Sequence, residues 1–127
     1  MIKNLLLVGF GGAAGSIFRY LISTIIYKEP LSVYPWATFS ANMIGCFLIG
    51  VFFELFQKHL PLQPELRLLL ITGFCGGLTT FSTFSAEGMS LMQAGYQATA
   101  LLYIISSILT GLFFLWTGSF IIKLIVS

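Results

Sequence analysis

Residues 73–88 read GFCGGLTTFSTFSAEG. The stretch lies inside a long apolar segment, yet it holds Gly73, Gly76 and Gly77, hydroxyls at 79, 80, 82, 83 and 85, and the carboxylate of Glu87. Backbone or side-chain polarity at membrane depth is tolerated only where it is buried in protein or lines a water-filled path. The polar residues at the centre of this segment therefore need a protein-lined cavity. Thr80 with Thr83, and Phe81 with Phe84, are spaced three apart, so a helix sets a hydroxyl column beside a phenyl column.

The rest of the chain has the composition this reading requires. It has 127 residues, of which 57% are hydrophobic and 8% charged, with a mean hydropathy of +0.99. A soluble domain carries about 25% charged residues, so the composition is that of a membrane protein in a lipid bilayer. Glycine and phenylalanine, 13 of each, suit helices packed closely in lipid. The net charge is +2 and the six basic residues are scattered, so no nucleic-acid partner is expected. Cys46 and Cys75 fall in apolar segments and read as small packing residues. With His59 the single histidine, no zinc-ligand spacing exists.

About 20 apolar residues cross a hydrocarbon core of ~30 Å, and four segments qualify. They run over about 5–27, 35–57, 66–94 and 97–123, in one membrane domain with no internal repeat. The first has the outline of a signal peptide, but three further apolar segments follow, and it reads as a span. Lys28, Glu29 and Pro30 mark its water interface, and QKHLPLQPELR (57–67) reads as a loop. The third segment as one helix would extend ~43 Å, so two half-helices with a break near 76–80, opened by the glycines, are expected. Both termini share a side with the second-to-third link. That side collects Lys3, Lys58, Arg67 and Lys123 against Lys28 and Arg19, which favours cytoplasmic termini.

Other motifs fall into place around the third segment. GFGGAAGS in the first span matches a dinucleotide fingerprint at Gly9, Gly11 and Ala14, but it lacks the soluble βαβ setting. Small-xxx-small packing through Gly11/Gly15, Gly12/Ser16 and Ala41/Gly45 is the better account. Arg19 either snorkels to the interface or faces a vestibule. Asn42 is a polar amide well inside the second span, suited to an interhelical hydrogen bond or to donating to an anion. In the fourth span Tyr103, Ser107 and Thr110 form one polar stripe, with Ser106 beside it. No nucleophile with a base, acid–base pair or cofactor box is present, so no enzyme is expected. A path of neutral donors poor in fixed charge suits a small, strongly hydrated anion.

GGAAGSIFRY (11–20), FSANMIGCFLIG (39–50) and GFCGGLTTFSTFSAE (73–87) resemble the signature blocks of the Fluc/CrcB fluoride channels across essentially the whole chain. The resemblance implies an all-α membrane protein assembled as an antiparallel homodimer of dual topology. Its two pores would passively export fluoride across the inner (plasma) membrane. It implies that Phe81 and Phe84 line the ion path with Asn42 as the pore amide, and that Ser82, Thr83 and Thr80 belong to a polar track. Arg19 would be the vestibule arginine, and Glu87 the carboxylate after the motif. Tyr103 and Ser107 would serve from the fourth span. Gly76 and Thr79 would offer backbone carbonyls to a structural Na⁺ at the dimer centre. Two other classes fit four short spans. A small multidrug resistance-type proton-coupled exporter needs an acid within the first span, where none precedes Glu29. A non-conducting assembly protein leaves the Thr/Phe columns without a purpose.

Overall fold

The computed structural model describes residues 1–26, 33–59 and 64–126. The interface expected at Tyr27–Pro30 and the Leu60–Gln63 part of the second link lie outside the described residues. Helix α1 spans Ile2–Ile26, and α2 spans Trp36–Glu54 and continues as a π-helical turn over Leu55–His59. The third segment opens with α3 (Pro64–Arg67), continues as π-helix over Leu68–Cys75 and closes its first half with α4 (Gly76–Leu78). Helices α5 (Phe81–Gln93) and α6 (Gln97–Val126) complete the order. Among the described residues four helical stretches are long and apolar enough to cross a membrane: Ile2–Ile26, Trp36–Lys58, Pro64–Gln93 and Gln97–Val126.

The second link is more helical than its prolines suggest. Residues 57–59 extend the second helix and Pro64–Arg67 already form α3. Proline at a first helical position lacks only an amide that would be unpaired there anyway, so Pro64 starts a helix rather than preventing one.

The glycines also do something other than open the backbone. Gly76 and Gly77 are helical, and the two residues in extended conformation are Thr79 (φ −83°, ψ 154°) and Thr80 (φ −149°, ψ 121°). These angles are open to any L-residue, so no glycine is needed there. The glycines instead bring α1 and the third segment into backbone contact. A Cβ on Gly73 would sit 3.0 Å from the Gly11 Cα, and one on Gly77 would sit 3.0 Å from the Gly12 Cα. Gly15 faces Phe74 and Leu78 in the same way. Without a hydrophobic drive between helices in lipid, such close packing is a main source of attraction.

The extended pair marks where the chain changes partners. Before it, the π-helical segment and α4 pack on α1; after it, α5 packs on α6, while α2 packs most extensively on α6. The turn from α5 to α6 requires a glycine. Gly95 has φ +93°, its N–H donates to Met92 O (3.2 Å), and the Tyr96 N–H donates to Leu91 O (2.8 Å). This is a Schellman cap, in which the left-handed residue satisfies the last carbonyls of the helix. Outward faces are apolar: Leu112, Phe113 and Trp116 are all well exposed on α6, as a helix against lipid requires.

Candidate functional site

The site is built around the two extended threonines. Leaving the helical path strands backbone groups that lipid would not satisfy, and named side chains take them up. Asn42 on α2 clamps Thr80 at two points: its Oδ1 accepts the Thr80 N–H (2.8 Å) and its Nδ2 donates to the Thr80 carbonyl (3.4 Å). Thr80 Oγ1 then accepts the Thr83 N–H (3.3 Å), capping α5 as an N-cap threonine does. Thr80 is thus the cap before the helix, so the expected hydroxyl column begins outside the helix rather than on its face. Thr79 turns back, its N–H and its Oγ1 both donating to Cys75 O at 2.9 Å. The Arg19 Nε–H donates to the Gly77 carbonyl (3.2 Å), placing a cation at the carbonyl end of the first half-helix, where the helix dipole favours it. The guanidinium is anchored inward by this bond.

Two cavities meet at the first turn of α5. One, of about 290 Å³, lies between α2, α5 and α6 and is walled by Asn42, Cys46, Thr80, Phe81, Phe84 and Ser107, among others. The Phe81 and Phe84 rings stand 6.0 Å apart between centroids. Phe84 lies edge-on to Tyr103 (5.0 Å), whereas Phe81 is 79% exposed. Ser107 is buried, and its Oγ has no hydrogen-bond partner among the described residues. The other cavity, of about 350 Å³, is walled by Ser16, Arg19, Ser23, Thr38, Thr83 and Glu87, among others. Its wall is more polar and includes the charged side chains of Arg19 and Glu87. Ser82 is exposed, on neither wall.

The fourth span enters through Tyr103, fully buried, whose hydroxyl donates to Glu87 Oε1 (3.1 Å). Tyr34 is edge-on to Tyr103 (5.2 Å), and its hydroxyl lies 2.7 Å from Ser106 Oγ. Tyr34 therefore helps to organise this wall. Glu54 escaped the sequence reading altogether. It is 5% exposed in α2, accepts from Ser119 Oγ (3.0 Å) and pairs with Lys58 Nζ (3.2 Å). Its signal was an acid four residues before a lysine at the end of an apolar helix. Both cysteines are free thiols. Among the described residues no group of three or more His, Cys, Asp or Glu side chains is placed to hold a metal.

Residues 6–119 match the family described as CrcB-like protein, Camphor Resistance (CrcB). The chain is also similar to proteins named fluoride-specific ion channel FluC. That of Chlorobaculum tepidum is 48% identical over 124 residues, covering 98% of each chain. That of Flavobacterium psychrophilum is 44% identical over 121 residues, covering 95% of this chain and 98% of its own. The counterpart in Leptospira interrogans serogroup Icterohaemorrhagiae serovar copenhageni is 43% identical over 121 residues, covering 95% of each.

Proposed function

This chain belongs to the CrcB-like family, and from that premise we infer that it is a fluoride channel of the membrane. The observation that carries the reading is near full-length similarity to proteins named fluoride-specific ion channels. It coincides with a cavity that holds neutral donors and phenyl rings at a helix N-terminus. The proton-coupled exporter considered from the sequence is not favoured by these relatives. A channel catalyses no bond-making step.

The chemistry of the first cavity suits fluoride. The N–H groups of Phe81 and Ser82 open α5 and have no intrahelical acceptor, and the positive end of the helix dipole adds to them. Asn42 spends one N–H on the Thr80 carbonyl and keeps a second. Ser107 brings a hydroxyl without a partner, and the electropositive edges of Phe81 and Phe84 face an anion favourably. None of these is a fixed cation that would trap the ion. Thr80 and Thr83 shape the turn between the cavities. Arg19 and Glu87, with Tyr103 holding the carboxylate, form the polar approach and attract and filter ions. Ser82 would join the track only through a neighbouring protomer.

The interruption at 79–80 would lie at mid-membrane, in an antiparallel homodimer with two pores that exports fluoride from the cytoplasm across the inner membrane. The exposed Phe81 ring and the open face of the first cavity support a second copy there. A structural Na⁺ between the copies fits the backbone. The Thr80 N–H that an unbroken helix would give to the Gly76 carbonyl goes to Asn42, and the Thr83 N–H due to Thr79 goes to Thr80 Oγ1. Both carbonyls are thereby available as hard oxygen ligands; the ion would neutralise the carbonyl ends of the facing half-helices. Fluoride efflux from proteoliposomes tests the assigned path. Phe81→Ile should slow efflux at least tenfold in protein that stays folded, since the ring contributes little to the protomer's own core. Wild-type efflux in that variant would take the ring off the path.

A further inference from the structure

The first cavity contains a thiol that the fluoride reading leaves unused. Cys46 lies one helical turn after Asn42 on the same face of α2 and contributes to the same wall. It is free and partly exposed, whereas Cys75 is free and fully buried. Its sulfur lies over α6 at a gap left by a missing side chain. A Cβ on Gly111 would be 3.4 Å from Cys46 Sγ and 3.6 Å from Met43 Cε. One turn before Gly111, the buried Ser107 Oγ of the same cavity has no hydrogen-bond partner. The Cys46 thiol, the Met43 side chain and the Ser107 hydroxyl thus line the same space as Phe84. Sulfur donors select soft, thiophilic cations over the hard ones that oxygen ligands hold.

We propose that Cys46, with Met43 and Ser107 beside it, is a binding site for thiophilic metal cations inside the ion path, and that occupancy blocks conduction. The proposal rests on the first cavity being that path. Mercury(II) chloride is a suitable probe because it is neutral and enters apolar cavities. The Cys46 thiol gives up its proton as sulfur bonds to mercury, and one chloride leaves: R–SH + HgCl₂ → R–S–HgCl + H⁺ + Cl⁻. The HgCl group would then occupy the cavity whose wall Cys46 shares with Asn42, Phe81 and Phe84.

The test pairs intact-protein and peptide mass spectrometry with fluoride efflux from the same proteoliposomes, each protein being compared with its own untreated rate. Wild-type and Cys75→Ser protein should acquire mercury at Cys46 and lose at least tenfold in efflux, with recovery on adding excess dithiothreitol. Cys46→Ser and Cys46→Ala should keep their untreated rates. Absence of mercury at Cys46 in folded wild-type protein overturns the proposal whatever the flux. Mercury on Cys46 with unchanged efflux also overturns it, by placing the thiol off the conducting route. Failure of the fluoride reading is a separate outcome, seen as no efflux from untreated wild-type protein, and the adduct measurement does not depend on it.

Discussion

At the scale of the residue, the informative feature is what Asn42 does with its amide. Both ends of the group engage the backbone of Thr80, so Asn42 holds the interruption in place and has a second N–H left to donate. A single side chain thereby links the geometry of the break to the chemistry of the cavity. Asn42→Ala leaves the Thr80 N–H without its acceptor, at a cost of about 1–3 kcal/mol. The expected outcome is a lower Tm together with fluoride efflux at least tenfold slower. Unchanged efflux with unchanged Tm in purified, reconstituted protein would contradict this role. Sequence reading found Asn42 because an amide stands out in an apolar helix. It did not find the clamp, because the partner is a backbone group 38 positions away, and backbone groups carry no residue signature.

At the scale of the element, the third segment is organised by contacts rather than by its own glycines. The extended pair falls on Thr79 and Thr80, while Gly73 and Gly77 serve the approach to α1. Composition announced that something unusual happens between 73 and 80. It left open which residues bend, because β-branched threonines favour extended backbone and glycine in lipid serves packing as readily as bending. Gly73→Ala should force α1 outward, since its Cβ would meet the Gly11 Cα and the Val8 carbonyl at 3.0 Å each. Overpacking of this kind costs about 1–3 kcal/mol, so Tm should fall. Gly9→Ala is the control: nothing lies within 4 Å of its Cβ, and its Tm should match the wild type. Equal stability of both variants would show that the contact contributes nothing. Glu54 shows the opposite limit of sequence reading. Its i+4 lysine was visible, but its burial against Ser119 depends on α2 packing on α6.

At the scale of the molecule, the four spans leave the first cavity open on one side. The first cavity opens at an exposed phenylalanine, and much of the apolar surface has no partner within the chain. The four spans and the membrane class were legible in composition and hydrophobic run length, which depend only on the thickness of the bilayer. What covers the outward faces was not, because an apolar face reads the same whether lipid or a second copy lies on it. If the neutral donors around Phe81, Phe84 and Asn42 form the ion path, the protein conducts fluoride and rejects larger halides. The direct measurement is halide efflux from liposomes holding the purified protein, followed with fluoride- and chloride-selective electrodes under a potassium ionophore. The account predicts rapid fluoride release and negligible chloride release. Release of both ions at similar rates, or no fluoride release from folded protein, would contradict it.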